Sequence, residues 1–325
     1  MPGERDNRPG GAKPVSVLGA VGVWRDLRWR IEALAFSGLF ALLRALGVER
    51  ASAFGGWVLR KLGPLTGTRK TVARNLRIAF PDLGAEALAA LTEAQWDQTG
   101  RTFAELAVMD RLTPEGGRID IVGLERLHAV RDSGRPVVFV SGHLANFEVM
   151  AAVILAAGVP CQVTYRPTNN PYVDQIIRSS RERYGIRMFA PKGGDGAKEL
   201  LAGMARGESV ALLNDQKFSE GPEVTFFDQP VNAAPGPTRL ALRFGTVLLP
   251  MSVVRLPGVR FRVTAHEPIT VENTGDRPGD IRRGVQAVTT FVEDRVRERP
   301  EDWFWVHKRW PEKVYAGLAS ADTAS

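Results

Sequence analysis

The chain has 325 residues, 44% hydrophobic and 24% charged, enough for one large α/β domain with an attached helical segment and too apolar for wholesale disorder. The single cysteine, Cys161, excludes an intrachain disulfide and a thiolate metal cluster, and the four histidines (His128, His143, His266, His307) pair at no zinc-finger or HExxH spacing. The formal charge of +7 implies an anionic partner; residues 1–75 hold 13 Lys+Arg against 5 Asp+Glu, leaving 30 against 31 for residues 76–325, a distribution that points to an anionic membrane surface rather than nucleic acid.

In chain order, residues 1–23 are rich in Gly, Pro and charge and read as a disordered lead-in. Residues 24–112 read as a helical, membrane-associating region. It opens on Trp24-Arg25-Asp26-Leu27-Arg28-Trp29-Arg30, followed by an apolar run over 31–48 interrupted by Glu32 and Arg44. The eleven residues between those charges fall short of the ~20 that a spanning helix needs. The run suits a helix lying in or dipping into the headgroup region, with arginines snorkelling and tryptophans at the interface. The same run also reads as a buried core helix. No small-residue cleavage site follows it, which argues against a removable signal peptide. Helices are predicted over 51–62, 68–78 and 84–109, punctuated by Pro64, Pro81 and Pro114.

Residues 113–312 change periodicity. Apolar runs over 136–140, 161–165, 186–189, 210–213, 247–254 and 260–265 read as buried strands. They alternate with helical stretches after Gly142, over 172–184, 196–206, 237–244 and 279–299. This predicts an α/β fold: a central, mostly parallel or mixed sheet flanked by helices, behind an N-terminal helical segment. Residues 313–325 read as a C-terminal tail.

Ligands in such sheets bind beyond the carboxyl ends of strands. Past the first strand stands Ser141-Gly142-His143-Leu144-Ala145-Asn146-Phe147-Glu148. Five residues separate His143 from Glu148 by roughly 140° on a regular helix, so they meet only if His143 lies in the loop and Glu148 in the first turn. There a carboxylate would fix the imidazole tautomer and stabilise the imidazolium, and backbone N–H groups near Gly142 to Ala145 would face an oxyanion. Arg166 after the second strand could clamp a phosphate, and Asp215 after the fourth could orient a base or a substrate hydroxyl. No G-x-S-x-G elbow, P-loop or dinucleotide fingerprint is present, and Cys161 opens a strand. A base without a nucleophile suggests direct acyl transfer to a hydroxyl; a hydrolase activating water is the rival enzyme class, and a nucleic-acid-binding protein fits the charge map poorly.

Ser-Gly-His143-x4-Glu148 resembles the HX4(D/E) signature of the lysophospholipid acyltransferase superfamily. Asn75-Leu76 with Phe80-Pro81, the block over 165–171 around Arg166, Asp215-Gln216-Lys217, Phe226-Phe227, residues 240–245 and residues 303–310 are similar, in order, to blocks of the bacterial lipid A late acyltransferases. That resemblance implies an inner-membrane enzyme, active on the cytoplasmic face, moving a fatty acyl group from acyl carrier protein (or acyl-CoA) to a hydroxyl of a lipid A precursor. A lysophospholipid or phosphatidylinositol mannoside is the alternative amphiphilic acceptor. It implies no cofactor, no metal and no covalent acyl-enzyme. His143 would be the general base and Glu148 its partner, with Arg166, Asp215 and Asn146 binding substrate or shaping the site. Lys217 stands where the family often has an acid, and Phe227-Asp228-Gln229-Pro230 departs from the more usual Gly-Arg pair before Pro. The aromatic cluster over 303–310 reads first as core packing and second as a lipid-headgroup contact.

Overall fold

The computed structural model describes residues 20–165, 167–183, 185–186, 189–191 and 194–321; the first 19 residues of the expected lead-in lie outside them. Four helices come first: α1 (Ala20–Leu46), α2 (Val48–Leu62), α3 (Arg69–Ala79) and α4 (Ala85–Glu105). Gly47, at φ 79°, divides the apolar run into α1 and α2. α1 has two faces. Ala33, Phe40 and Leu43 are buried, with Phe36 packed beside them, whereas Trp24, Leu27, Ile31 and Leu34 are 46–75% exposed. Both sets recur at three- and four-residue steps, the spacing of one helix face each.

α1 is docked to the body rather than trailing from it. Arg44 grips Asp110 with two hydrogen bonds of 2.7 and 2.9 Å and donates to the Ala107 carbonyl at 2.6 Å. Asn170 Nδ2 donates to the Trp29 carbonyl and to Glu32 at 2.9 and 3.0 Å. The two charges that interrupt the apolar run are therefore its attachment points. α2 and α4 approach so closely that a Cβ built on Gly55 would lie 2.3 Å from the Gly100 carbonyl oxygen, and one on Gly100 would lie 2.1 Å from the Gly55 oxygen.

The α/β body follows as β1 (Ile119–Val122), α5 (Leu124–Ser133), β2 (Val138–Ser141), α6 (Glu148–Ala156), β3 (Cys161–Tyr165), α7 (Pro171–Arg183), β4 (Phe189–Pro191), α8 (Gly194–Ala205), β5 (Ser209–Leu213), β6 (Glu223–Phe226), β7 (Gln229–Asn232), α9 (Gly236–Phe244), β8 (Leu248–Leu256), β9 (Arg260–Ala265) and α10 (Arg277–Glu298). Seven strands form one sheet in the order β1-β9-β8-β2-β5-β3-β4, with β6 and β7 a separate hairpin. Every pair in the sheet is parallel except β8 with β9. Alternation along β2 divides the core: Phe139 joins α6 residues Val149 and Val153 on one face, and Val138 and Val140 join Ala241 and Val288 on the other. The expected mostly parallel sheet covered by helices is what forms. The sequence reading missed β1, α5 and the hairpin, and the expected C-terminal tail is corrected over its described residues, 313–321: α11 (Glu312–Ala321) is a helix packed on α3, with Tyr315 buried and its hydroxyl donating to Asn75 at 2.6 Å.

The backbone-to-backbone approach of α2 and α4 leaves no rotamer that relieves an added side chain. Gly100→Val is expected to lower stability by about 1–3 kcal/mol, read as a fall in the urea midpoint. An unchanged midpoint would mean that the two helices do not pack this closely.

Candidate active site

β2 and β5 are neighbours, and their parallel register sets Ser141 against Leu213, the last residue of each strand. Two residues further on stand His143 and Asp215, so the register itself brings them together. His143 Nδ1 lies 2.7 Å from Asp215 Oδ1, and the His143 backbone N–H donates to Asp215 Oδ2 at 2.7 Å. Trp303 Nε1–H donates to that same Oδ2 at 2.7 Å. Burial opposes charge on Asp215, but the His143 imidazole, its ring and backbone N–H groups and the Trp303 N–H outweigh it and hold the carboxyl down to about 2. An ionised acceptor here requires the Nδ1–H tautomer of a neutral imidazole, which leaves the Nε2 lone pair free to take a proton.

Three expectations need correction. The carboxylate on His143 is Asp215, not Glu148. Glu148 is the first residue of α6 and is buried against Arg181 of α7, with hydrogen bonds of 2.5 and 3.1 Å. The helix starts five residues after His143, so the loop turns the two side chains to different partners. Asn146 is fully buried and donates to Glu105 at 2.8 Å, so it braces the loop from beneath rather than facing a substrate. The expected oxyanion donors are mostly committed: His143 N to Asp215, Leu144 N to the Gly142 carbonyl at 2.9 Å, and Ala145 N to the Asp302 carbonyl at 2.7 Å. Arg166 lies outside the described residues.

The loop is held under strain. Ala145 sits at φ 45°, a region that a non-glycine residue enters at a cost. Its N–H is tied to Asp302, its carbonyl accepts from Thr102 Oγ1 at 3.0 Å, and Asn146 beside it is tied to Glu105. Glu105 is itself fixed by Arg255 of β8 at 2.5 and 3.0 Å and by the Ser52 hydroxyl at 2.6 Å. α2, α4 and β8 thus meet in one buried polar network under the His143 loop.

His143 opens into a small cavity lined also by Gln216, Phe304, His307 and Arg309. Phe304 lies over the His143 ring, 6.1 Å between centroids, and Phe147 meets it edge-on at 4.8 Å. Beside it, between α6 and the sheet, a narrow apolar cavity, partly open to solvent, is lined by Phe139, Phe147, Met150, Ile154, Val163 and Met251. Phe147 thus lines this cavity and touches the His143 ring. Sequence reasoning assigned no role to Gln216, Phe304 or His307. Their signal was adjacency to Asp215 and membership of the aromatic cluster, which turns out to mix core tryptophans (Trp305 and Trp310, fully buried) with cavity-lining residues. Burial pushes the Cys161 thiol up, consistent with packing rather than reactivity. Among the described residues no cluster of His, Cys, Asp or Glu is arranged to hold a metal ion.

Residues 26–312 match the family model described as bacterial lipid A biosynthesis acyltransferase. A lipid A biosynthesis acyltransferase of Haemophilus influenzae is 24% identical over 191 residues, 58% of this chain and 58% of its own length, so that alignment spans little more than half of that relative. A lipid A biosynthesis myristoyltransferase of Escherichia coli is 25% identical over 77% of this chain and 79% of its own. A phosphatidylinositol mannoside acyltransferase of Mycolicibacterium smegmatis is 24% identical over 91% of both chains.

Asp302, whose carbonyl holds Ala145, has a side chain pushed up to about 6 by burial, against the opposing charge of Arg299. A carboxyl raised in the folded state contributes stability below its unfolded value near 4 and loses it as pH rises through about 6. Asp302→Asn does not titrate and leaves the carbonyl in place. Relative to the parent, its stability should rise by up to about 2–3 kcal/mol between pH 4 and 6 and then level off; urea melts across that range test this, and a flat difference would refute the shift.

Proposed function

Because the chain belongs to the bacterial lipid A biosynthesis acyltransferase family, we propose that it moves a fatty acyl group from a thioester donor to a hydroxyl of a lipid acceptor, with His143 as general base and Asp215 as the carboxylate that orients it. The observation that carries this reading is the 2.7 Å contact of Asp215 with His143 Nδ1, which leaves Nε2 as the base. Nε2 takes the proton of the acceptor hydroxyl as its oxygen attacks the thioester carbonyl carbon. The carbonyl electrons move onto oxygen, then return as the carbon–sulfur bond breaks, and the departing thiolate takes the proton from the imidazolium. Asp215 stabilises that imidazolium. The donor is already activated, so the step consumes no ATP. The apolar cavity bordered by Phe147 suits the acyl chain.

We assign acyl carrier protein as donor. α3 supports this: Arg69, Lys70, Arg74 and Arg77 are all exposed and the helix has no acid. Asn75 on the same helix donates to the Trp305 and His307 carbonyls at 2.7 and 2.8 Å, which fixes this basic face beside the segment lining the His143 cavity. The acceptor is a lipid A precursor; a phosphatidylinositol mannoside is the second reading, favoured by the 91% coverage of the mycobacterial relative. No helix among the described residues is long and apolar enough to cross a membrane. The exposed stripe of α1, interleaved with Arg25, Arg28 and Arg30, suits binding at an anionic interface, and we place the enzyme on the cytoplasmic face of the inner membrane.

Purified protein given acyl carrier protein loaded with fatty acid, plus each acceptor lipid, is expected to form an esterified lipid by mass spectrometry; free fatty acid alone would indicate a hydrolase. His143→Ala should lower the rate by roughly 10²–10⁴, and Asp215→Asn should cost more than Glu148→Gln. A Glu148→Gln loss equal to that of His143→Ala, with Asp215→Asn nearly silent, would reverse the assignment of the orienting carboxylate. Replacing Trp24, Leu27, Ile31 and Leu34 by serine leaves the buried face of α1 intact and should abolish co-sedimentation with anionic vesicles. Undiminished pelleting would place the membrane contact elsewhere.

A further inference from the structure

We propose that the side-chain amide of Gln216 is the oxyanion donor of this site. The inference rests on His143 acting as base in acyl transfer. Attack on a thioester carbonyl places a negative charge on oxygen, and without donors aimed at it the intermediate is out of reach. In the loop after β2, where a strand-to-helix turn would ordinarily offer its backbone, the N–H groups of His143, Leu144 and Ala145 are spent on Asp215, Gly142 and Asp302. With those three N–H groups committed, a side chain that reaches the face of His143 where the proton is transferred can supply the donor.

Gln216 meets that requirement. Its Nε2 lies 3.5 Å from His143 Nε2, on the side of the ring opposite Asp215. With Nδ1 carrying the proton, Nε2 is an acceptor, so the amide approaches it nitrogen first. At 3.5 Å the contact is weak as a hydrogen bond, yet it sets the amide N–H groups beside the atom that receives the hydroxyl proton. Those N–H groups have no other partner among the described residues. The carbonyl under attack must lie next to the hydroxyl oxygen, hence within reach of the same amide.

The placement follows from the backbone. Asp215 turns inward to His143, so the next residue, Gln216, turns outward and reaches across the ring to its far nitrogen. A neutral donor also suits the position, since a lysine or arginine against Nε2 would disfavour the imidazolium formed in the step. Positive potential is supplied from further back by Arg309. It lines the cavity at 2% exposure, donates to the Asn232 carbonyl at 3.1 Å, and has no carboxylate hydrogen-bonded to it among the described residues.

Gln216 is exposed, so its replacement leaves the fold intact, which a melting curve verifies. With whichever acyl thioester the wild type accepts, Gln216→Ala and Gln216→Glu should each lower kcat by roughly 10²–10³, with KM changed less than about threefold and the plateau of the pH–rate profile reduced at every pH. A kcat within twofold of wild type would overturn the proposal. So would a loss confined to a displaced acidic limb with the plateau intact, because Gln216 would then only position His143. His143→Ala, assayed in parallel, separates the two claims: if it is inactive while Gln216→Ala is not, only the oxyanion assignment fails, and if it is active the underlying base assignment fails as well.

Discussion

Asp215 is a single buried carboxylate that accepts from three donors contributed by two distant stretches of chain: the backbone and ring N–H of His143 and the indole N–H of Trp303. A charge placed at 5% exposure is tolerable only when it is so surrounded. The same contacts therefore have three consequences. They keep Asp215 ionised, they select the tautomer that leaves Nε2 basic, and they lock the C-terminal aromatic segment onto the ends of β2 and β5. Leu144 forms an isolated bridge with Trp303, so the base and the segment that walls its cavity are coupled through backbone as well as through the carboxylate. Removing Asp215 would thus release both an imidazole and the aromatic wall beside it.

The helical region before the sheet takes part in holding the His143 loop. The strained Ala145 peptide is clamped by Thr102 and Asp302, and Asn146 rests on Glu105, which is neutralised by Arg255 from the sheet. The positive φ at Ala145 separates the direction of His143 from that of Glu148, since it forces the chain to turn before α6 begins. Glu148, freed from the imidazole, pairs with Arg181 in the wall of the apolar cavity. A buried ion pair there ties α6 to α7 across the space assigned to the acyl chain, a scaffold for the base rather than a contact to it.

What was legible in the sequence follows the range of the interaction. His143 at the end of a continuous apolar strand is a local pattern, as are the strands over 161–165 and 260–265, whose limits are those observed. The partner of His143 depends on pairing two strands 72 residues apart, and no local pattern records that register; Glu148 was preferred because it was near in sequence. The β6–β7 hairpin escaped for a chemical reason. Its turn places Phe227 and Asp228 at φ 50° and 57°, a conformation usually announced by Gly or Asn, and its second strand begins Gln229-Pro230. Phe227 accepts that backbone because its ring packs against Phe226 and Trp310 and its N–H donates to Glu293, so tertiary contacts stand in for the missing turn residues. β1 is four residues long with Asp120 inside it and an exposed Val122, too short and too mixed to signal a strand.

The excess of positive charge in the first quarter of the chain resolves into different uses once the helices are placed. Arg44 is consumed by Asp110 and holds α1 to the body, so it contributes nothing to a distant field. Arg25, Arg28 and Arg30 stand beside the exposed apolar stripe of α1, with Arg28 paired to Glu32 and Arg30 to Asp26 on the same helix, so positive charge and hydrophobic surface lie side by side there. The charges of α3 have no such stripe on their own helix: its apolar residues Val72, Leu76 and Ile78 are buried against the core shared with the C-terminal aromatic segment. A helix that buries its large apolar residues and whose exposed side chains are cations and one alanine is poorly suited to enter a bilayer and well suited to meet an acidic surface in water. The basic balance of the sequence therefore divides between two surfaces of different character, one mixed with apolar side chains at α1 and one of cations at α3, and the second lies on the helix whose Asn75 holds the segment lining the His143 cavity.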